Sequence, residues 1–446
     1  MADNRMRPSF RHPAFRLTVC VALAGWLGAC SSAQNLIEKM TGSDSDKLVG
    51  PRESVLGAND ASRVQAATEP VVIPAAISNQ SWAQPGGVPS NVMQNLALNI
   101  DLRRVFAVSA GRGSDSDGRL TASPIIVGGR IYVVDSEAVV RAFSADAGGT
   151  LWTTSLVPQG NDGEGAFGGG LASDGARIYA TTAFGEALAL DAASGAILWR
   201  QKFDGPIRGA PTVADGRMYF VTITNEVNAV ATADGASLWR YQGTGESASI
   251  LSSSSPAVAG GVVVLPHTTG DLSAFNVADG RTLWSEALSA SDPIAGASNL
   301  NDVAARPVMA DGQVYAVAQS GRLAAFLATT GAQIWSQDIS GNQTPWVAGE
   351  YVFMISGRKS LVAVQRSSGG LRWISDLPGG GVWSGPVIGG GRLIAVNSEG
   401  TLANISPQTG QLMSTLDLGS GLYIAPVIAN GTIYLLGDDA TLIALR

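Results

Sequence analysis

Ala189-Leu190-Asp191-Ala192-Ala193-Ser194-Gly195-Ala196-Ile197-Leu198-Trp199 is the stretch on which the fold turns. An apolar run meets Asp and Ser, bends at Gly195, and resumes as a second apolar run ending in tryptophan. That is a strand, a tight turn and an antiparallel strand. Its Ala, Gly and Trp return at Ala142…Gly148…Trp152, Ala229…Gly235…Trp239, Ala274…Gly280…Trp284, Ala325…Gly331…Trp335 and Ala363…Gly369…Trp373. A seventh copy is degenerate, with Asn404, Gly410 and Ser414 in the key places, and an eighth breaks off at Ala444-Leu445-Arg446. The starts lie 47, 40, 45, 51, 38, 41 and 40 residues apart. Self-similarity at such a period marks a repeat architecture.

A second element precedes each copy, as in Ala210-Pro211-Thr212-Val213-Ala214-Asp215-Gly216-Arg217-Met218-Tyr219-Phe220. Similar runs begin near Pro124, Leu171, Pro256, Pro307, Trp346, Pro386 and Pro426. Each reads as a short strand, an Asp/Asn/Gly turn and a strand rich in Val, Ile and Tyr. One unit is therefore four antiparallel strands. A lone four-stranded unit leaves both faces open, and eight stacked radially cover them with few free edges. The expected fold is all-β: an eight-bladed β-propeller of four-stranded antiparallel blades. Trp152, Trp199, Trp239, Trp284, Trp335 and Trp373 are expected to dock between neighbouring blades. At ~25 cal/mol per Å² over ~150–250 Å², each contributes about 4–6 kcal/mol. The last unit lacks its Trp strand, and 101–109 has strand alternation. That N-terminal strand is expected to pair with the C-terminal blade and close the ring.

Composition agrees and excludes. Hydrophobic residues make up 45%, charged residues 15%, and there are 55 glycines, which suits a turn-rich β protein. The net charge of −7, without a basic cluster past the N-terminus, argues against a nucleic-acid partner. The two histidines are His12 and His267, and the two cysteines are Cys20 and Cys30. A His-based catalytic centre, a thiolate metal site and a disulfide in the body are excluded by count. No catalytic residue, metal or cofactor is expected. Acids such as Asp146, Asp191 and Asp234 sit in repeat turns, where Asp caps backbone groups. His267 follows Pro266 at a strand end and reads as a loop or edge residue. The Gly-rich 160–170 stretch precedes a strand rather than a helix, so it reads as a surface loop rather than a phosphate cradle.

Arg5, Arg7, Arg11 and Arg16 precede the apolar stretch Leu17–Ala29, too short for a membrane span. Leu27-Gly28-Ala29-Cys30 resembles the bacterial lipobox. The resemblance implies a signal peptide over 1–29, lipidation of Cys30 and firm anchoring by several acyl chains. Ser31 rather than Asp behind the cysteine implies transfer to the outer membrane, facing the periplasm. Residues 30–75 are polar and small and read as a flexible tether. Residues 76–100 are expected to add a small flap on the ring, and 101–446 to form the propeller.

The repeat resembles the tryptophan-docking motif of quinoprotein dehydrogenases, which hold pyrroloquinoline quinone in an eight-bladed propeller. Leu300-Asn301-Asp302-Val303-Ala304-Ala305-Arg306-Pro307-Val308, followed by Gly321-Arg322-Leu323-Ala324-Ala325, is similar to the BamB family of lipoproteins of the outer-membrane β-barrel assembly machine. That resemblance implies a non-enzymatic scaffold. Its partners would be a POTRA domain of a BamA-like channel subunit, other assembly lipoproteins and unfolded outer-membrane proteins. It places the POTRA contact on Ala248, Ser249, Ile250 and Leu251 and on Asp302, Val303 and Ala304. Asp302 keeps the family's acid and Ile250 an aliphatic, whereas Leu251 stands for an arginine and Ala304 for a second acid. These departures imply a more apolar contact. Independently, the longest links between units are 153–170, 241–255 and 285–306, and the last two flank one blade. Long links that a ring does not need are usually functional. The alternatives are a quinone-dependent dehydrogenase-like propeller and a periplasmic propeller binding a peptide or sugar in its central channel.

Overall fold

The computed structural model describes residues 67–116, 118–161, 168–243, 254–267, 270–288, 305–319, 321–357 and 359–446. All belong to the second of the chain's two units, 59–446. Cys30, Ala248–Leu251 and Asp302–Ala304 lie outside the described residues.

Eight four-stranded antiparallel sheets form the ring, each ordered from an inner to an outer strand. Blades one to seven cover 125–155, 169–202, 212–242, 257–287, 308–337, 346–376 and 383–417. Blade eight takes Val427–Ala429, Thr432–Leu436 and Thr441–Leu445 from the C-terminus and Arg104–Ser109 from the N-terminus. The pairing runs Phe106↔Ala444, Ala107↔Ile443, Val108↔Leu442 and Ser109↔Thr441. Arg103 and Arg446 exchange both backbone bonds at 2.9 Å, so the two arms of the chain meet where an ordinary blade has its outer turn. Closure by an N-terminal strand is as the truncated eighth copy implied.

The repeat residues follow from one interlock. Within a blade, Ala faces Trp across the outer strand pair, as in Ala189↔Trp199 and Ala274↔Trp284. The small residue leaves room for the indole. Each indole N–H then donates to a carbonyl of the next blade. Trp152 reaches Ala192 at 3.1 Å, Trp199 Thr232 at 3.0 Å, Trp239 Val277 at 3.1 Å, Trp284 Ala328 at 2.8 Å, Trp335 Arg366 at 2.6 Å and Trp373 Pro407 at 3.0 Å. The ring of each Trp lies on the glycine of the next copy. A Cβ on Gly195 would stand 2.5 Å from Trp152, and Gly195 also has φ +75°. Both the close approach and the backbone conformation demand glycine there. Asp191 completes the turn by accepting from the Ser194 amide at 2.8 Å.

The degenerate seventh copy now has a reason. A Trp at 414 would dock on the outer turn of blade eight, but that turn is replaced by the chain's two arms. At the other side of the closing blade, Phe106 takes the Trp place: it pairs with Ala444 and lies where a Cβ on Gly148 would come within 2.7 Å of its ring. Trp284→Ala should therefore cost ~3–5 kcal/mol, since the ring is buried and its N–H satisfied. Urea unfolding of the variant checks this, and an unchanged midpoint would disprove the interlock.

Residues 67–100 behave differently from a surface flap. Ala67 N–H donates to Leu371 O on the outer strand of blade six, and the Tyr351 hydroxyl donates to Glu69 O. This stretch, grouped above with the tether, runs inward along blade six. The chain then circles the channel once, bonding to the inner strand region of every blade in turn. Asn79 bonds to Ile428 and Asn430 of blade eight, Trp82 to Ile126 of blade one, and Ala83 to Ser173 of blade two. Gln84 bonds to Val213 of blade three and Pro89 to Val258 of blade four. Ser90 and Asn91 bond to Met309 and Pro307 of blade five, Gln94 to Trp346 and Gly349 of blade six, and Leu96 to Ile388 and Gly390 of blade seven. Ile77 pairs with Asn95 and Ala97 where the circle closes on itself. The segment is an inner belt, and Trp82, Met93, Leu96 and Leu98 are buried in one apolar cluster with blades one, six, seven and eight.

Candidate functional site

A propeller offers three surfaces: two faces and the channel. Each inner strand starts on the face where the links between blades arrive and ends at an inner turn on the opposite face. Most of the belt's bonds go to the middle or the turn end of these strands, while Asn91–Pro307 and Gln94–Trp346 bond at the strand start. A small cavity of about 40 Å³ lies beside the belt where the inner strands begin. Its floor includes Trp82, Pro85, Gly86 and Asn91 of the belt. Its wall includes Ser123, Arg306, Thr344, Pro386 and Pro426 at or just before the inner strands. Trp82 and Trp346 stack at 6.3 Å between ring centroids, with 21° between planes.

The two long links that flank blade four reach this same face at their described ends. Their described ends meet: the Ser254 hydroxyl donates to Ala305 O at 3.1 Å. Thus 241–255 and 285–306 come together at their downstream ends, beside the mouth of the channel.

Several buried ionisable groups serve the fold. Asp135 is fully buried at its side chain, pairs with Arg141 and accepts from the amides of Arg112, Glu137 and Val139 at 2.9–3.1 Å. Glu186 pairs with Arg200. Arg366 donates to the Tyr315 hydroxyl at 3.0 Å, Gly349 O at 2.9 Å and Asp311 at 2.8 Å, tying blade six to blade five. His267 is buried at a strand end, and burial pushes its imidazole down from the usual range. Among the described residues no group of three His, Cys, Asp or Glu could hold a metal. A calcium-bridged quinone would need carboxylates in the channel cavity, and none lines it among the described residues.

Ring and interlocked tryptophans define a class, the eight-bladed propellers of the pyrroloquinoline-quinone repeat type. The family model described as outer membrane protein assembly factor BamB matches residues 136–375 and 357–446. The chain belongs to that family. It is 28% identical over 347 residues to the outer membrane protein assembly factor BamB of Salmonella typhimurium, covering 76% of this chain and 88% of the relative. The Escherichia coli factor of the same name is 27% identical over 328 residues, 72% and 83% of the two chains. The crystal structure of BamB from Moraxella catarrhalis superposes with a TM-score of 0.66 at 19% identity, covering 78% of this chain and all of that one. The quinohemoprotein alcohol dehydrogenase of Comamonas testosteroni superposes with a TM-score of 0.67 at 14% identity. At such identities the likeness is one of fold and is shared by enzymes and assembly factors alike.

Proposed function

We propose that the chain is a non-enzymatic scaffold of the outer-membrane β-barrel assembly machinery, held at the periplasmic face of the outer membrane by lipid on Cys30. Its link face binds a POTRA domain of a BamA-like channel subunit. Other assembly lipoproteins and unfolded outer-membrane proteins gather on the same complex. Family membership supports the role. The observation that supports the contact site is the Ser254–Ala305 bond, which joins the bases of the two long links. Residues Ala248–Leu251 and Asp302–Ala304 belong to those links, so one partner domain can touch both. The six docking tryptophans hold the blades that carry the links and contribute no contact of their own.

A photo-crosslinking residue at Ile250 or Asp302, with a purified POTRA domain of the cognate channel subunit, tests the site. Adducts are expected from both positions and none from Asp191 in an outer turn. Adducts from Asp191 alone would move the interface to the rim of the ring.

A further inference from the structure

The ring leaves three aliphatic side chains in water on the face of the inner turns, opposite the links. Val72, Ile77 and Ile100 are 67%, 50% and 78% exposed, whereas Val71, Leu96 and Leu98 beside them are buried. Most other exposed large hydrophobics among the described residues lie on outer strands at the rim. These three flank the belt's entry and exit over blades six and seven. The backbone there sits close on the inner turns. A Cβ on Gly349 would stand 2.7 Å from Val72 O, and one on Gly390 would stand 2.4 Å from Leu98 O. The Ile77 amide donates to Asn95 O at 2.9 Å, and Ile77 O accepts from the Ala97 amide at 2.8 Å. Arg392 donates to Asn99 O at 2.6 Å and to Ile100 O at 3.3 Å. Fixed backbone thus presents the three side chains outward on the turns of two neighbouring blades.

The rest of the segment, and the chain that leads into it, say what meets them. Residues 67–100 contain one charged side chain, Glu69, and no Lys or Arg. The patch has no aromatic ring and no arginine, the side chains that most often anchor protein interfaces. Aliphatic side chains without charge pairing suit an apolar phase. Residues 31–66 alone separate Cys30 from Ala67, whose amide bonds to Leu371 O where the outer strand of blade six begins. Fully extended, such a stretch spans at most about 130 Å. A lipid on Cys30 therefore keeps the ring near a bilayer, and a weak contact becomes an intramolecular one.

We propose that the patch at Val72, Ile77 and Ile100 docks on the lipid surface, so that the inner turns face the outer membrane and the links point away from it. The proposal rests on the lipid on Cys30 and adds to it the orientation of the ring. Burial of aliphatic surface supplies the contact, so anionic lipid is not required.

The test uses the lipidated full chain in vesicles of phosphatidylethanolamine and phosphatidylglycerol, with an environment-sensitive fluorophore on one introduced cysteine. On Ile100→Cys the emission should shift to the blue and be quenched by spin-labelled lipid. On Tyr423→Cys, in the link to blade eight and about half exposed, it should do neither. High salt, or vesicles without phosphatidylglycerol, should leave the Ile100 signal in place. Adding Val72→Ser and Ile77→Ser to Ile100→Cys should lower the ratio of docked to undocked rings by roughly 10-fold, as two aliphatic side chains lose their apolar phase. Chains that float with the vesicles while the Ile100 probe stays as wet as the Tyr423 probe would overturn the docking and leave the anchor standing. A chain that does not float at all would overturn the anchor and the docking with it. A shift at Ile100 seen only after companion assembly subunits are added would assign the patch to a protein and overturn the lipid contact.

Discussion

Truncation of the chain after Asp439 should abolish cooperative folding of the ring. The strand removed, Thr441–Leu445, lies between Thr432–Leu436 and Arg104–Ser109. Without it the closing strand has nothing to pair with and blade eight is reduced to two strands. Leu442, Ile443 and Leu445 are each at most 2% exposed. At ~2–5 kcal/mol for each buried aliphatic lost, the burial alone approaches the ~5–15 kcal/mol that a whole domain retains. Phe106 also loses its partner Ala444, and with it the seat against Gly148. Circular dichroism of the truncated chain should show no sharp thermal transition, and the protein should aggregate. A truncated chain melting at the full-length Tm would mean that the ring does not close through this strand.

Removal of residues before Ile100 should be nearly as severe, though the eight blades themselves stay intact. The lost belt takes Trp82, Met93, Leu96 and Leu98 out of the cluster shared by the first and last blades, and strips hydrogen-bond partners from every inner strand region. Four buried side chains at ~2–5 kcal/mol each come to roughly 10 kcal/mol or more. At ~2 °C per kcal/mol for a large domain, Tm should fall by about 20 °C. Leu96→Ala, fully buried at the closing of the circle, should account for ~2–5 kcal/mol of this. Scanning calorimetry decides: a shortened chain within a few degrees of the full one would make the belt an ornament of the channel rather than a part of its core.

These two segments differ in how far they can be read without coordinates, and the reason is physical. The closing strand pairs with one neighbour over its whole length, so Arg104–Ser109 shows the alternation of an ordinary strand. The belt gives one or two bonds to each of eight different strands. No single pairing imposes a period of two on 79–96, and a stretch such as Asn79-Gln80-Ser81-Trp82-Ala83-Gln84-Pro85-Gly86-Gly87 looks like a loop. The repeat is the opposite case. Gly195 and Trp199 stand four residues apart in one copy, yet each does its work across a blade boundary, Gly195 under Trp152 and Trp199 against Thr232. Spacing reveals the repeat; only the ring reveals that consecutive copies interlock. Ser414 looked like decay of the pattern and is instead a consequence of closure. The candidate contact residues on 241–255 and 285–306 rest on the resemblance and on link length, with the Ser254–Ala305 bond to bring their bases together.

The role as an assembly scaffold is tested most directly by affinity purification of the full chain from membranes of its own cell, with mass spectrometry of what co-elutes. The account predicts recovery of a BamA-like outer-membrane channel subunit and its companion lipoproteins, lost when Ile250 and Asp302 are replaced together by Arg while the ring still melts at the original Tm. A folded, membrane-derived chain that brings down no channel subunit would contradict it.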